Sequence, residues 1–305
     1  MGRFLLARIG QGLVTLLAVS VVVFVLSRLS GDPLTLIMDP MSTKADLARE
    51  LARLGLDRSY PEQYAIFLTN ALAGDFGQSI FYQRATFAVF LEKLPATLEL
   101  GGTAMLVSVL IAIPVGVISA VHKGGWIDRI AKLIALTGQS APVFWIGLVL
   151  MLLFSVTLGW LPTAGRGTWR HLVLPAVTLG WYGNAFLMRI TRSAMLDVLG
   201  TDYVKLARLE GLPERRVIWK HAFWNAATSI VTTLGLMSIS LVTGAVVTET
   251  VFAWPGVGRL TVDAIFQRDF PVVQAAVILI AVMVVMVNLA VDVIYAWIDP
   301  RVWLR

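Results

Sequence analysis

Six stretches of this chain lack Asp, Glu, Lys and Arg over lengths close to that needed to cross a lipid bilayer. A helix needs roughly 20 residues to span about 30 Å of hydrocarbon. Open strands would leave backbone groups unsatisfied in lipid, so these runs predict helices. The predicted spans are 9–27, 100–121, a stretch within 133–165 that ends near 160, 172–188 (the shortest, which must borrow residues at its ends), a stretch within 222–248, and 270–291.

The composition supports a membrane protein rather than a soluble one. Apolar residues make up 57% of the chain and charged residues 14%, whereas soluble domains carry about 25% charged residues. We therefore expect an all-α polytopic membrane protein with six transmembrane helices.

The first span has an alternative interpretation as a signal peptide, because Arg3 and Arg8 precede an apolar run. The run is long for a signal peptide, and the residues after Arg28 form a poor cleavage site. These features favour an uncleaved N-terminal transmembrane helix over 1–29.

The distribution of Lys and Arg predicts the orientation. Positive charge concentrates in cytoplasmic loops, and a cytoplasmic N-terminus places most of the basic loop residues inside. Six spans then put both termini in the cytoplasm, with 299–305 as a cytoplasmic tail. Four arginines fall outside and weaken the bias: Arg166, Arg170, Arg259 and Arg268.

The segment 30–95 has mixed charge and is predicted to form a small extracytoplasmic cap after the first helix. Within it, 45–54 and 61–72 have the apolar spacing of short amphipathic helices. The remaining 96–298 is predicted to hold five transmembrane helices.

A basic segment, 202–223, interrupts this apolar pattern. Residues 197–210 have helical composition, and Gly211 is suited to the left-handed conformation that ends a helix. Pro213 and Glu214 suit the first turn of a second short helix. The segment predicts a bent helix pair that docks on a partner, although a loop that only sets topology, or lies on lipid headgroups, is also compatible with these residues.

Tyr203 to Gly211 (Tyr-Val-Lys-Leu-Ala-Arg-Leu-Glu-Gly), with His221-Ala-Phe ten residues on, resembles the cytoplasmic coupling loop of ABC-importer permeases. The resemblance covers nearly the whole chain and is to the dipeptide, oligopeptide and nickel branch. The other matching blocks are 31–33 (Gly-Asp-Pro), 74–77 (Gly-Asp-Phe-Gly), 174–180 (Leu-Pro-Ala-Val-Thr-Leu-Gly), 250–260 (Thr-Val-Phe-Ala-Trp-Pro-Gly-Val-Gly-Arg-Leu) and 268–271 (Arg-Asp-Phe-Pro).

This resemblance implies a type I importer permease fold and an assembly with a second permease, expected to be a different but homologous chain. It also implies two cytoplasmic ATPases that hold ATP and Mg, and an extracytoplasmic substrate-binding protein. In this sequence the coupling loop is 189–222, with Ala207 and Gly211 at core positions of the motif. The chain departs from the general pattern at Lys205 and Leu206, where Glu and Ala are usual, and at Trp224, where Pro is usual. The expected coupling residues are Tyr203, Lys205, Leu206, Ala207, Arg208, Glu210, Gly211, Arg215 and His221.

Polar residues within or beside the spans are candidates for the translocation path, because such groups are costly in lipid. Hydrogen bonding between helices, or solvation at the interface, is the alternative use. The candidates are Glu99, Gln139, Ser140, Asn184, Glu249 and Asn288. The turn that contains Trp254, Pro255, Gly256 and Arg259 is either an extracytoplasmic gate, a contact for the binding protein, or a simple capped loop.

The sequence gives no support to several other classes of function. It has no Cys, and its three His are far apart, so we expect no metal site. No phosphate-binding loop and no catalytic constellation are present, so we expect no catalytic residue and no cofactor bound by this chain. The dispersed arginines argue against nucleic acid.

We therefore expect a subunit of a bacterial inner-membrane importer for di- or oligopeptides, in contact with membrane lipid. Nickel, glutathione or an opine are alternative solutes for the same fold. An ATP-independent secondary transporter is a rival, although no inverted repeat is evident. A receptor or scaffold that uses the 30–95 cap is a further alternative.

Overall fold

The computed structural model describes residues 2–29 and 58–298, and the regular elements within these ranges are helical, as predicted. An isolated antiparallel bridge joins Gln78 and Ala85. The helices are α1 (Gly2–Leu29), α2 (Tyr60–Leu72), α3 (Thr86–Val121), α4 (Trp126–Ser140), α5 (Val143–Met151), α6 (Trp169–Leu199), α7 (Asp202–Leu209), α8 (Glu214–Arg216), α9 (Phe223–Val251), α10 (Val257–Phe266) and α11 (Phe270–Ile298). Two π-helical stretches, Leu152–Thr157 and Val217–Ala222, follow α5 and α8.

Four helical stretches in the described ranges are long and apolar enough to cross a membrane, and they contain the first, second, fifth and sixth predicted spans. They are Leu5–Leu29, Thr86–Val121, Glu214–Leu241 and Phe270–Ile294.

The third predicted span is a broken helix rather than a straight one. The stretch Trp126–Ser140 meets Val143–Thr157 at an angle of 111°. The break follows from Pro142, since a residue before proline avoids helical geometry, and Ala141 is extended with φ −91° and ψ 134°. Counted as one span, the bent pair brings the number of apolar spans to five.

The fourth predicted span lies in α6, which contains Pro175. This helix of 31 residues is not among the spans identified by hydropathy. Its length of about 46 Å exceeds the thickness of the hydrocarbon core. By length it can therefore hold the fourth predicted span, 172–188, with polar residues at its ends.

The second span begins earlier than its uncharged run suggested. α3 starts at Thr86 and has 36 residues, so Pro95, the predicted end of the cap, lies inside a continuous helix. In the cap, α2 matches the predicted helix 61–72, and the Glu62 carboxylate accepts a hydrogen bond from the Ser59 backbone at 3.1 Å. The predicted helix 45–54 and the tail 299–305 lie outside the described residues.

The chain divides into two compact units. The first contains the described part of Met1–Pro95 with Arg259–Leu289. In it, Phe24 of α1 contacts Tyr64 of α2 with ring centroids 5.4 Å apart, and Ser79 donates a hydrogen bond of 2.5 Å to Asp269.

The second unit contains Ala96–Gly258 and the described part of Ala290–Arg305. In it, α6 is the central helix and packs against α4, α5 and α9. Its core includes Leu187, Met195 and Ile230, all of which are buried. Each candidate site described next lies in this unit unless stated otherwise.

Candidate functional site

The basic segment forms a short helix followed by a sharp turn. α6 ends at Leu199, and Thr201 is the N-cap of α7. Asp202 in the first turn and Arg208 in the last turn oppose the partial charges of the helix ends. The predicted helix over 197–210 is therefore interrupted near Gly200.

Gly211 ends this helix in the left-handed conformation, as predicted, with φ +75°. Pro213 is the N-cap of the next helix, which starts at Glu214. The expectation that this second helix is short was wrong. It continues through the π-helical stretch Val217–Ala222 into α9, so one helical run extends from Glu214 to Val251.

One face of α7 is packed and the opposite face is apolar and exposed. Val204 and Ala207 are buried against Val217 of the next helix. On the other side, Leu206 is 56% exposed and Leu209 is 85% exposed. Tyr203, Lys205, Glu210 and Arg215 are also exposed. Exposed leucines on a short, well-packed helix are typical of an interaction surface.

An ion pair joins the two sides of the turn at Gly211. The Arg208 guanidinium donates from Nη2 to Glu214 Oε1 at 2.7 Å and from Nε to Oε2 at 3.2 Å. These hydrogen bonds raise the pKa of Arg208 above its ordinary value, so its positive charge persists at physiological pH. The two-point contact holds α7 against the start of the long helical run.

His221 lies in the π-helical stretch and is partly buried. Its backbone carbonyl accepts a hydrogen bond of 2.7 Å from the Asn225 side chain. This side-chain contact lies at the junction of the π-helical stretch and α9.

A buried carboxylate contacts Arg192 of the predicted coupling loop 189–222, and the sequence analysis did not single it out. Asp128 is fully buried. It accepts hydrogen bonds from Arg192 Nε at 2.6 Å and Nη2 at 3.0 Å, from Ser119 Oγ at 2.7 Å and from the Gly124 backbone at 2.9 Å. Lys132 Nζ is 2.9 Å away. We call these five residues the Asp128 cluster.

The Asp128 cluster ties the end of α3 and the start of α4 to α6, at the start of the predicted coupling loop 189–222. The available sequence signal was the pair Asp128 and Lys132, four residues apart on one helix face. The long-range partner Arg192 has no such local signature.

Three of the predicted path residues form hydrogen bonds with other parts of the protein. Glu99 accepts hydrogen bonds from Arg166 at 2.9 and 2.5 Å. Gln139 accepts one from Arg189 at 3.1 Å, and Ser140 donates to the Leu136 carbonyl of its own helix. Asn184 lies in α6, and its side-chain oxygen is buried without a partner among the described residues. In the first unit, Asn288 is partly buried in α11.

A cavity of about 410 Å³ opens between α5, α6 and α9. Its wall is apolar apart from Ser240. The lining also includes a glycine on α6 and another on α9, which have no side chain to fill the space. Its lining includes Val143, Gly183, Phe186, Met237, Ser240 and Gly244. The predicted path candidates are not among its lining residues, so this cavity is built from uncharged side chains that periodicity alone did not single out.

Glu249 is fully buried and holds the turn that follows α9. Thr97 Oγ1 donates to its carboxylate at 2.6 Å and accepts from the Val257 backbone at 2.8 Å. A Cβ atom at Gly256 would collide with the Glu249 carboxylate. The close approach of turn and carboxylate therefore requires glycine at this position.

Trp254 anchors the same turn. Its side chain is 1% exposed, and its Nε1 donates to the Ala96 carbonyl of α3 at 2.8 Å. Pro255 is partly buried and Gly256 is buried. In the first unit, Arg259 pairs with Asp263 at 3.5 Å on α10. The turn is thus a packed element rather than a free loop, and its role as a gate stays a prediction.

The described residues contain no group of three or more His, Asp or Glu side chains that could hold a metal ion.

The chain matches two models of known protein families. The family described as "Binding-protein-dependent transport system inner membrane component" matches residues 112–304, and the N-terminal family of such membrane components matches residues 1–101. The chain is 39% identical to the di/tripeptide transport system permease protein DppB of Pseudomonas aeruginosa, with 98% of each chain covered.

It is 41% identical to the glutathione transport system permease protein GsiC of Salmonella choleraesuis, again over 98% of each chain. Among solved structures it is similar to the inward-facing MetNI methionine ABC transporter, with a TM-score of 0.58 and 21% identity. That match covers 69% of this chain and 96% of the other. The structural likeness supports the predicted importer-permease fold.

Proposed function

Because the chain belongs to the family of binding-protein-dependent transport system inner membrane components, we propose that it forms half of a translocation path for short peptides. ATP hydrolysis is carried out by separate subunits that bind ATP and Mg. The observation that carries this proposal is the exposed apolar face of α7, held rigidly beside a helix that runs on as a membrane span.

The proposed ATPase contact consists of Leu206 and Leu209, with Tyr203 beside them. Burying a leucine side chain contributes roughly 2 kcal/mol, so two leucines in a partner's groove give a substantial contact. Lys205, Arg208, Glu210 and Arg215 surround this apolar centre and provide a polar rim.

The braced geometry supports transmission of force. The packing of Val204 and Ala207 on Val217 fixes α7 to the long helical run, and the Arg208–Glu214 pair closes the turn from the other side. A movement of α7 is therefore passed to α9 as a rigid-body movement. The Asp128 cluster holds α6, on the other side of the loop, to α3 and α4.

The proposed orientation has both termini in the cytoplasm of a bacterium and the chain in its inner membrane. This places α7 inside, where ATPases are found, and the Trp254 turn outside, where a substrate-binding protein would dock. The second permease is proposed to be a homologous chain that contributes the other half of the path, with the cavity between α5, α6 and α9 on the path side.

The proposed substrates are di- or tripeptides, or glutathione, in line with the names of relatives that share about two-fifths of their residues with this chain. Nickel or an opine is a less favoured cargo. The apolar cavity wall offers no charged group to hold a solute tightly, so selection is assigned to the binding protein.

Reconstitution of the complete complex in proteoliposomes tests the proposal. It requires this chain, its partner permease, the two ATPases and the binding protein. We expect uptake of a labelled dipeptide or glutathione that requires both ATP and the binding protein. Uptake by this chain alone, driven by an ion gradient, would favour the secondary transporter instead. Lack of flux with every candidate solute would favour a receptor.

A further inference from the structure

A second, smaller cavity lies between α4 and α6, next to the Asp128 cluster. It has a volume of about 270 Å³. Three basic side chains line it, Lys132, Arg189 and Arg192, together with the apolar residues Ala131, Leu136 and Met188. It is separate from the coupling face of α7 and from the larger cavity between α5, α6 and α9.

The charges at this cavity do not balance. Asp128 is the acidic partner of both Lys132 and Arg192. Arg189 donates to the neutral amide oxygen of Gln139, and its guanidinium lies 5.7 Å from the centre of the Phe186 ring. Among the described residues, Arg189 has no carboxylate partner. Three cations thus face one carboxylate, and the site attracts an anion.

The surroundings of the cavity are those of a lipid headgroup region. Arg189 directly follows the uncharged run 172–188 of α6. On α4, the apolar side chains of Trp126, Leu133 and Leu136 are 72%, 62% and 64% exposed. Basic groups placed where an apolar surface ends are typical of the membrane interface.

We propose that this cavity binds an anionic phospholipid of the inner leaflet. Arg189 and Lys132 contact the phosphate, and Leu136 and Met188 contact the start of an acyl chain. Guanidinium groups bind phosphate oxygens through two parallel hydrogen bonds, and basic pockets between membrane helices on the cytoplasmic side suit anionic headgroups. The inference rests on the orientation proposed above, and it adds a regulatory lipid site to that function.

The location suggests a role for the lipid. It would join α4 to α6 beside Asp128, at the start of the predicted coupling loop 189–222. An anion there neutralises the excess positive charge and stabilises the arrangement from which α7 projects.

Lipid binding to the full-length purified chain tests the proposal directly. After delipidation in detergent, the protein is titrated with phosphatidylglycerol or phosphatidylcholine, and bound lipid is counted by native mass spectrometry. We expect tighter binding of phosphatidylglycerol, and a loss of about fivefold in Arg189→Gln, which corresponds to about 1 kcal/mol.

Arg170→Gln is the matched control, because Arg170 is also an exposed arginine of α6 but lies near its opposite end. It should leave the preference unchanged. Equal binding of the two lipids, or an equal loss in both variants, would overturn the proposal. Displacement of the lipid by glycerol phosphate at similar concentration would assign the site to a soluble anion instead.

Photocrosslinking separates lipid from protein as the occupant. A photoreactive amino acid at position 136, in the assembled complex, should label phospholipid. Labelling of an ATPase or permease chain instead would overturn the lipid assignment. The lipid titration uses neither ATPase nor transported solute, so its failure is distinguishable from failure of the transport proposal.

Discussion

Arg208 and Glu214 face each other across Gly211, with the guanidinium Nη2 2.7 Å from the carboxylate Oε1. The pair joins the last turn of α7 to the first turn of the helical run that becomes α9. A glycine turn alone permits the two helices to hinge. Together with the buried contact of Val204 and Ala207 on Val217, the ion pair makes the bend a fixed one.

Exchange of Gly211 for valine should uncouple transport from ATP hydrolysis. The residue has φ +75° and open space around its Cβ position, so the strain comes from backbone conformation and not from a clash. A β-branched residue in this conformation costs of the order of 1–3 kcal/mol. Uptake should fall several-fold more than ATPase activity in reconstituted complexes. Gly211→Asn is the control, because Asn tolerates the left-handed region, and equal uptake in the two variants would contradict the prediction.

Loss of the Arg208–Glu214 pair should weaken coupling modestly. Both side chains are about half exposed, and exposed ion pairs contribute at most about 1 kcal/mol. We expect Arg208→Glu to reduce ATP-dependent uptake up to about fivefold. The charge-swapped double variant with Glu214→Arg should recover part of it. Absence of any recovery would assign Arg208 to the partner contact rather than to the internal brace.

Replacement of Leu209 by aspartate should weaken binding of the ATPase. The side chain is 85% exposed in this chain, and loss of its burial at an interface costs roughly 2 kcal/mol, or about 30-fold in affinity. Binding of purified ATPase to the chain in nanodiscs measures the effect. Leu72→Asp changes a leucine of α2 that is equally exposed, at 81%, and should bind normally. A similar loss in both variants would indicate a general defect in folding.

Substitution of either partner in the Asp128 cluster should destabilise the protein. Removal of one member of a buried ion pair leaves an uncompensated charge and costs about 3–5 kcal/mol. We therefore expect Arg192→Met to lower the thermal unfolding temperature in detergent markedly. The double variant with Asp128→Leu should be closer to wild type, since neither charge remains. Asp202→Asn, which alters an exposed pair with Lys205, should have little effect. Equal stability of Arg192→Met and Asp202→Asn would refute a structural role for the cluster.

A methyl group at Gly256 should disturb the turn after α9. Its Cβ would occupy the position of the Glu249 carboxyl group, so Gly256→Ala must displace this buried side chain from its hydrogen bond with Thr97. We expect a loss of stability of more than about 1 kcal/mol. Gly101→Ala is the control, because nothing lies within 4 Å of that Cβ position and alanine favours a helix. If both variants unfold alike, the close packing is not essential.

Local patterns predicted the parts of the structure that local forces decide. The uncharged runs identified membrane helices, and Gly211 ends α7 with the predicted positive φ. Pro142 lies at the break between α4 and α5, where the residue before proline avoids helical geometry. In each case the physical cause lies within a few residues of the effect.

Features that depend on contacts between distant residues could not be predicted from local sequence patterns. The second coupling helix continues into α9, and its residue Val217 packs on α7 in a contact between separate helices. Asp128 was not singled out from the sequence, because its partner Arg192 lies 64 residues away. Glu249, a path candidate by residue type, accepts a hydrogen bond from Thr97 of another helix, and no local pattern predicts this contact.

The uninterrupted helix from Glu214 to Val251 is about 55 Å long at roughly 1.5 Å per residue. A rod of that length cannot shift at one end without displacing the other. Closure of the path on the outer side and its opening on the inner side would therefore result from one tilt of this helix. Both sides could open at the same time only if the helix broke. The stiffness of this one helix would then prevent leakage of ions through the transporter at rest, without a separate closing element on either side of the membrane.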